Sequence, residues 1–418
     1  MQTKRAPLED LQGIVGKDNV REATAEDAVE GVEPSLIVEP GSVEEISAVM
    51  KLASREGLAV SPRGGGTKME LGAPPRELDL VLSTARMDGI IEHVPGDQIV
   101  RTQSGVKLGA VQEKLAEANQ MLAIDPPEKD ATVGGVVAAN ASGQRRYKYG
   151  TVRDLIIGIT VVLADGTVAR AGGKVVKNVA GYDLSKLFTG SLGTLGVIAD
   201  ANFRLHPRPE SARTVAVEVE TPQAARDAAQ AIVHSQVEAT AVELHWSDEA
   251  KLVSVLLESI PGGIDAKEEA ASFLLKEFGE VRTLEGEEAD NLGPLSTGDE
   301  VEIKIGAPPA ELAGVIDSVL NAAELRDATV RMSGHAGTGI TYAGLSGAED
   351  ALVEVVEEVR EIRTRSGGSV VVRRAPASFK NRVDVWGPVG DYLGLTRRVK
   401  EKFDPGYFMN PGRFIGGI

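Results

Sequence analysis

Four glycine-rich segments, spread between residues 62 and 413, constrain the fold of this chain more than any other feature of its sequence. Glycine allows backbone angles and close approaches that a Cβ atom forbids, so such segments mark places where the backbone meets a neighbour or a ligand closely. The segments are PRGGGTK at 62–68, ATVGGVVAANASG at 131–143, GSLGTLGVI at 190–198 and MNPGR at 409–413. Each alone fits ordinary packing, but together they predict a chain built around a large, flat cofactor.

The first segment follows a short predicted strand at 58–61 and is flanked by Arg63 and Lys68. Backbone N–H groups of a glycine loop can converge on an anion, which makes this loop a candidate phosphate site. The dinucleotide fingerprint G-x-G-x-x-G at the start of a helix is missing, and so is the P-loop pattern. Any phosphate is therefore held in another way, and a tight surface loop remains the alternative.

The second segment contains almost only small side chains over thirteen residues. Small residues let a planar ring lie against the backbone. A buried helix that packs closely against a neighbour would have the same composition, and the sequence leaves both interpretations open.

Local patterns predict two halves that differ in their secondary structure. Before residue 209, Ser42 and Glu45 stand at capping-box spacing ahead of a helix that ends at Gly57, and a hairpin turns at 165–166. After Pro209, strands at 214–220, 241–246 and 301–305 alternate with helices at 222–237, 266–278, 309–325 and 348–365. This pattern predicts an α+β domain with helices on one face of a sheet.

Composition excludes several classes of function. The chain has 62 acidic and 45 basic side chains, a net charge of -17, which argues against binding nucleic acid. It has no cysteine, so it offers no disulfide, no thiolate metal site and no iron–sulfur ligand. The most hydrophobic run, 155–164, is shorter than the ~20 residues of a membrane span. We expect a soluble, cytoplasmic chain that meets a membrane only through partner subunits.

The order of the glycine-rich motifs, with KYGTVRD at 148–154 between them, resembles the FAD-binding oxidoreductases of the vanillyl-alcohol oxidase (PCMH) type. Within that family, residues 177–185 and 374–388 are most similar to the GlcE-type FAD-binding subunit of bacterial glycolate oxidase. The resemblance covers roughly 28–208 and 370–418. It implies a bilobal PCMH-type FAD-binding domain at 1–208, an α+β, ferredoxin-like cap at 209–400, and a C-terminal segment at 401–418 that returns to the flavin.

The resemblance also implies which residues bind FAD. The first glycine loop would hold the pyrophosphate, the second segment would lie beside the ribityl chain and the isoalloxazine, and 196–198 would lie near the adenine. The predicted cofactor residues are Arg63, Gly64, Gly65, Gly66, Thr67, Thr132, Gly134, Gly135, Ala138, Asn140, Gly150, Val152, Gly196, Val197, Ile198 and Asn410. Relatives that attach FAD covalently use a histidine in the first loop or a cysteine elsewhere. Gly66 stands at the loop position here, so we expect non-covalent FAD.

The cap carries one histidine of a known metal motif. Related D-2-hydroxyacid dehydrogenases have H-x-G-D-G-N-x-H, whereas this chain has His335 followed by Thr338 and Tyr342 at the acidic and second histidine positions. A lone histidine makes no closed metal site, so no bound metal is predicted. His335 is a candidate general base, with a structural histidine as the alternative.

Although the chain is acidic overall, three stretches are basic: 145–148, Lys174 with Lys177, and 373–374. A guanidinium can bind a carboxylate through two parallel hydrogen bonds. Arg374 is the first candidate for the substrate anchor and Arg146 the second; ordinary surface charge or a partner contact is the alternative.

These features predict a flavoprotein that oxidises a small 2-hydroxy acid such as glycolate by hydride transfer to flavin N5. Since the chain offers no iron–sulfur ligands, its electrons would leave to partners, and the resemblance implies a second flavoprotein subunit and an iron–sulfur subunit. The competing hypothesis is an FAD-binding accessory subunit without turnover of its own. A nicotinamide enzyme is disfavoured because the dinucleotide fingerprint is missing.

Overall fold

The structure is a computed structural model that describes residues 7–173, 183–290, 292 and 299–418. It divides into two compact units, which are described separately. Unit 1 comprises Met1–Ser142, Thr151–Arg208 and Pro388–Ile418, and unit 2 comprises Gly143–Gly150 and Pro209–Gly387. The domain boundaries given above stay a prediction. The stretch 174–182, which holds Lys174, Lys177 and most of the 177–185 motif, lies outside the described residues.

The helices are numbered in chain order. They are α1 (Leu8–Val15), α2 (Val43–Glu56), α3 (Leu108–Ala116), α4 (Val133–Ala139), α5 (Arg146–Tyr149), α6 (Val152–Leu155), α7 (Leu184–Phe188), α8 (Pro222–Val233), α9 (Pro261–Leu275), α10 (Glu287–Asp290), α11 (Leu312–Glu324), α12 (Glu349–Arg365), α13 (Ala377–Lys380) and α14 (Leu393–Phe403). Among the described residues, no helix is both long enough and apolar enough to cross a membrane.

The strands are numbered in the same way. They are β1 (Val20–Glu22), β2 (Leu36–Val38), β3 (Val60–Arg63), β4 (Leu80–Ser83), β5 (Ile90–Val94), β6 (Ile99–Gln103), β7 (Gln120–Met121), β8 (Ile156–Val162), β9 (Val168–Gly172), β10 (Val197–Arg204), β11 (His206–Pro207), β12 (Ser211–Glu218), β13 (Ala239–Trp246), β14 (Lys251–Ser259), β15 (Val281–Leu284), β16 (Val301–Gly306), β17 (Thr329–His335), β18 (Ile340–Ser346) and β19 (Ser369–Arg374).

The described part of unit 1 has two larger sheets and a two-stranded one formed by β7 and β11. The first has the order β1-β2-β4-β3, with parallel pairing of β4 to both β2 and β3, and the second is antiparallel with the order β5-β6-β10-β8-β9. Apolar residues of α2, of β2, β3 and β4 and of the ends of β8 and β10 form one buried cluster. This core fixes the end of β3, where the first glycine-rich segment begins, and the start of β10, where the third one ends.

Local sequence rules are confirmed in this unit. The hydroxyl of Ser42 accepts a hydrogen bond from the Glu45 amide at 3.1 Å, and Gly57 ends α2 in the left-handed region. The predicted hairpin is formed by β8 and β9. The strand predicted at 58–61 lies two residues further on, since Ser61 and Arg63 pair with β4. It is an edge strand, which is the place in a sheet that tolerates Pro62.

The C-terminal segment of unit 1 runs beside β3. The Val60 amide donates to the Phe408 carbonyl at 2.8 Å, and the Asn410 amide donates to the Val60 carbonyl at 2.9 Å. The sequence predicts that this segment returns to the flavin. In the structure it pairs with β3, the strand that leads into the first glycine loop. The helix α14 that precedes it was not predicted from the sequence.

Unit 2 contains an antiparallel sheet with the order β15-β12-β14-β13-β17-β18-β16-β19. Helices α8, α9, α11 and α12 pack against it. The predicted helix at 266–278 begins earlier, at Pro261, because proline suits the first turn and the two glycines that follow it are tolerated there. The other three predicted helices are confirmed within four residues at each end.

Apolar and polar side chains alternate along the strands of this sheet, so one of its two faces is polar. Val242 and Leu244 are fully buried, and Glu243 and His245 alternate with them. Cross-strand partners share a face, so pairing extends this side over β14, β17, β18 and β16. We call it the polar face; its residues are Glu243, His245, Ser254, Glu258, Glu302, Lys304, Ser333, His335 and Tyr342.

Candidate functional site

The first glycine loop is held against the residues that precede α4. A Cβ atom on Gly64 would lie 2.0 Å from the hydroxyl oxygen of Thr132, and one on Gly65 would lie 2.0 Å from the carbonyl oxygen of Asp130. Gly66 has a φ of +76°, which side chains rarely adopt. This loop can therefore keep its path only with glycine at these positions.

The second segment forms α4, so the helix alternative weighed from its composition is confirmed. The Gly134 amide donates to the Ser104 carbonyl at 2.7 Å, and a Cβ atom on Gly134 would lie 2.7 Å from the Ser104 Cβ. The small residues thus serve two purposes: they let α4 approach the end of β6, and they leave one side of the helix open to a cavity.

The third and fourth segments meet each other. The amides of Gly190 and Leu192 donate to carbonyls of α4 at 2.9 Å. The side-chain amide of Asn410 donates to the Leu192 carbonyl at 2.7 Å, and a Cβ atom on Gly193 would come within 3.0 Å of that amide. Four segments that are far apart in the sequence therefore come together within unit 1.

Together these segments line an open cavity. The predicted residues that line it are Arg63, Gly64, Gly65, Gly66, Thr67, Thr132, Gly134, Gly135, Ala138, Gly196, Val197, Ile198 and Asn410. Three predicted residues do not line it. Asn140 ends α4 in the left-handed region, Gly150 follows α5, and Val152 is fully buried in α6.

Several lining residues were not predicted, among them Thr84, Ser104, Leu192, Gly193 and Arg413. Arg413 belongs to the NPGR motif, so its signal was present in the sequence. Its guanidinium donates to the carbonyls of Met69 and Leu71 at 2.7 and 2.6 Å. Burial lowers the pKa of Arg413 to about 10, which still leaves a full positive charge at neutral pH.

A second cation at the cavity is held in place by a buried carboxylate. Asp27 accepts two hydrogen bonds from Arg21, at 2.6 and 2.7 Å, and two from Arg63, at 3.1 and 3.2 Å. These contacts, that from Arg21 foremost, lower the pKa of Asp27. The Arg63 side chain is therefore oriented by Asp27 at the start of the glycine loop.

Unit 2 places His335 in a buried pair on the polar face. Its Nδ1 lies 2.8 and 3.0 Å from the two carboxylate oxygens of Glu243, and both residues are almost fully buried. Burial raises the pKa of Glu243, and the contact with His335 opposes that rise. The other nitrogen of His335, Nε2, is buried without a hydrogen-bond partner among the described residues.

Tyr342 packs beside this pair. Its ring is perpendicular to the His335 ring, with 5.7 Å between the centroids, and Arg373 lies over the Tyr342 ring at 4.7 Å. Arg373 also forms an ion pair with Glu302. Within the described ranges, no group of three or more His, Asp and Glu side chains could hold a metal ion.

The two predicted anchors lie in different surroundings. Helix α5, which begins at Arg146, packs against β13, the strand that carries Glu243. Burial raises the pKa of both Glu243 and Tyr342, and the positive charge of Arg146 is among the contributions that oppose the rise. Arg374 instead donates to the Asp299 carbonyl at 3.1 Å. Its neighbour Arg373 is the arginine that contacts Tyr342.

Matches to known protein families agree with a cofactor site in unit 1. Residues 34–172 match the FAD binding domain family, and residues 208–293 match the C-terminal domain of FAD linked oxidases. The chain therefore combines an FAD binding domain with the C-terminal domain of FAD linked oxidases.

Two relatives extend over nearly the whole enzyme. It is 26% identical to the glycolate oxidase subunit GlcD of Bacillus subtilis, over 91% of this chain and 89% of the relative. It is 29% identical to a D-lactate dehydrogenase of Archaeoglobus fulgidus, over 93% of both chains. The enzyme is thus an FAD-dependent oxidoreductase of the glycolate oxidase and D-lactate dehydrogenase type. The narrower resemblance to GlcE stays a prediction.

Solved structures share the fold. An alkyldihydroxyacetonephosphate synthase matches with a TM-score of 0.75 and 18% identity, covering 97% of the enzyme and 85% of that chain. A p-cresol methylhydroxylase with substrate bound matches with a TM-score of 0.75 and 16% identity, covering 97% of the enzyme and 95% of that chain. These matches confirm the predicted PCMH-type α+β fold.

The cavity residues fit FAD by their own chemistry. The Ser104 hydroxyl and the Asn410 side-chain oxygen are buried without partners among the described residues, and polar atoms of this kind call for a ligand or water. Glycines at 64, 65 and 134 let the backbone beside the cavity pack closely on Thr132, Asp130 and Ser104. Arg63 and Arg413 supply positive charge for a pyrophosphate.

Proposed function

We propose that the enzyme oxidises a small 2-hydroxy acid of the glycolate or lactate kind to the 2-oxo acid. FAD, held by the residues around the cavity of unit 1, would supply the hydride acceptor for this oxidation. Two relatives named for glycolate and D-lactate, each aligned over about nine-tenths of the chain, support this substrate class. The observation that carries the proposal is the buried His335–Glu243 pair with an unpartnered His335 Nε2.

In this proposal, Nε2 of His335 takes the proton of the substrate hydroxyl. Glu243 accepts a hydrogen bond from Nδ1, which keeps Nε2 in the unprotonated tautomer and stabilises the cation that forms. One proton and one hydride leave the substrate, so the charge on its carboxylate is unchanged. A positioned base of this kind contributes about 10²- to 10⁴-fold in rate.

A guanidinium would hold the substrate carboxylate. Arg374 and Arg146 are the two candidates from the sequence, and their surroundings favour Arg146. Arg146 begins α5, which packs against β13, the strand of the His335 partner Glu243. An anchor close to the base fixes the substrate hydroxyl near Nε2, which is what a positioned acid–base step requires.

We also propose that FAD is held without a covalent bond, by the loop at 63–67, by α4, by 196–198 and by Asn410. Gly66 has no side chain to attach the flavin, and the chain has no cysteine. Acid precipitation should therefore release FAD into the supernatant. Flavin absorbance that stays with the precipitate would contradict this attachment.

A second function, an accessory FAD subunit without turnover, is favoured by one observation. Tyr342 packs its ring perpendicular to that of His335, at the position where a second metal-binding histidine stands in the resembling motif. Under both functions we propose that electrons leave to a second flavoprotein subunit and an iron–sulfur subunit, in the cytoplasm or at a membrane reached through those partners.

Anaerobic addition of glycolate or D-lactate to the purified holoenzyme separates the two functions. An enzyme in its own right loses its flavin absorbance and reduces an artificial acceptor. His335→Gln should slow both by about 10²-fold or more. His234→Gln, which changes an exposed histidine bonded to Gln230, should leave both at the wild-type rate. Bound FAD that stays oxidised with every 2-hydroxy acid would favour the accessory function.

A further inference from the structure

A fully buried ion pair lies at the end of α14, behind the cofactor cavity of unit 1. Lys400 and Asp404 are both 0% exposed, and the ammonium nitrogen lies 2.6 Å from one carboxylate oxygen. Lysine is almost never completely buried unless it is paired. Such a pair adds little to stability, because the cost of removing both charges from water offsets their attraction.

The remaining donors of Lys400 bind two different cofactor segments. An ammonium group has three N–H donors. Besides Asp404, Lys400 donates to the Thr194 carbonyl at 2.7 Å and to the Met409 carbonyl at 2.8 Å. Thr194 lies between Gly193 and Gly196, and Met409 directly precedes Asn410, so one cation connects the third and fourth glycine-rich segments.

Asp404 holds the same C-terminal segment from its other side. One carboxylate oxygen accepts from the Met409 amide at 2.8 Å and the other from the Phe408 amide at 3.3 Å. Phe408 and Asn410 in turn bond to Val60, in the strand that leads into the first glycine loop. The pair is thereby connected to three of the four segments around the cavity, although neither of its side chains lines that cavity.

We propose that Lys400 and Asp404 are positioning residues for the cofactor: they fix the spacing of the three segments and so set the affinity for FAD. The proposal rests on the cofactor site proposed above. When the loops are already held at a fixed spacing, FAD binding does not have to order them. The free energy that ordering would cost is then not subtracted from the free energy of binding, so the affinity for FAD is higher.

The test removes both charges together, so that neither is left unpaired. Lys400→Met combined with Asp404→Asn is compared with Arg101→Met combined with Asp200→Asn, which removes a cross-strand pair of unit 1 that does not line the cavity. Apoprotein of each variant is titrated with FAD by flavin fluorescence, and its melting temperature is measured with and without FAD.

We expect the Lys400/Asp404 variant to bind FAD at least tenfold more weakly and to gain less in melting temperature from FAD. The Arg101/Asp200 variant should stay within threefold of the wild type. Two variants with equal loss of stability and equal, wild-type-like affinity would overturn the proposal. If the double variant does not fold, Lys400→Arg keeps the charge but not the donor geometry, and it must still weaken FAD binding severalfold.

The same titration separates this proposal from the proposed function. A wild-type chain that takes up no FAD would refute the cofactor site itself. A wild-type chain that binds FAD but oxidises no 2-hydroxy acid leaves the comparison between the two double variants fully interpretable, because affinity is measured without substrate.

Discussion

Gly65→Ala tests the cofactor site most directly, because its cost follows from one distance. The added Cβ atom would lie 2.0 Å from the carbonyl oxygen of Asp130 and 3.1 Å from its carbon, and an ordinary contact begins at 3.4 Å. Either the loop or the Asp130 backbone must move by about 1.4 Å. Both are backbone, so no flexible side chain can give way.

Overpacking of this kind costs about 1–3 kcal/mol. If the glycine loop keeps its path in the apoprotein, the cost appears as lost stability. If the loop moves, it leaves the position that receives the pyrophosphate, and the cost appears as lost FAD affinity. At the upper limit, where the whole cost falls on affinity, the dissociation constant rises about 5- to 150-fold.

Two further glycine substitutions are compared with Gly65→Ala. Gly66→Ala has open space around its Cβ atom but a φ of +76°, so it should cost about 1–2 kcal/mol through backbone strain alone. Gly109→Ala lies within α3 with nothing near the new atom, and it should stabilise the helix by about 0.5–1 kcal/mol. The Gly109 variant should bind FAD like the wild type.

The assay is a titration of apoprotein with FAD, followed by flavin fluorescence, with thermal unfolding of each apoprotein alongside. A Gly65→Ala protein that melts like the wild type and binds FAD within twofold would refute the packing argument. A protein that melts lower but binds FAD normally would show that the loop keeps its path and that the whole cost falls on stability.

Three other predictions concern single side chains. His335→Asn should lower kcat for a 2-hydroxy acid by about 10²-fold or more while FAD content, read from the visible spectrum, stays unchanged. Burial lowers the pKa of His245 from 6.5 to about 4, so the unfolded chain binds the proton first and stability falls as the pH drops from about 6.5 to about 4. The loss is up to about 3 kcal/mol, and urea unfolding of His245→Asn against pH should show a smaller loss. Asp27→Asn removes a carboxylate shared by Arg21 and Arg63, and urea unfolding at pH 7 should show a loss of about 1.5–3 kcal/mol.

Much of the fold was predictable because its signals are local. The N-cap at Ser42 and the hairpin at 165–166 depend on residues a few positions apart, and both are confirmed. The second half of the capping box is not formed, because the Glu45 carboxylate accepts from the Gly41 amide instead of the Ser42 amide. Helix α14 was missed because it lacks a local signal. Its one fully buried side chain is Lys400, so no apolar stripe of the usual period marks it in the sequence.

The site was predictable only where a glycine in the sequence indicates that the backbone lies very close to a neighbouring group. Gly64, Gly65 and Gly134 are each forced by a contact that a Cβ atom would occupy, and a glycine run records that constraint in the sequence. The position of Ser104 at the cavity is not indicated by any comparable pattern in the sequence. It lies at the cavity because α4 packs on the end of β6, and nothing about an isolated serine indicates that contact.

Polar pairs that join distant parts of the chain define the remaining geometry. His335 and Glu243 are separated by 92 positions, and Lys400 and the Thr194 carbonyl by 206. The acidic partner of His335 is one of 62 acidic side chains, so residue type alone could not select it. Since a buried charge without its partner is strongly unfavourable, these pairs exist only in the correct fold, and they specify the spacing of the loops that glycine merely permits. The sequence therefore shows where backbone can approach a cofactor, whereas the folded chain shows what fixes that backbone once it is there.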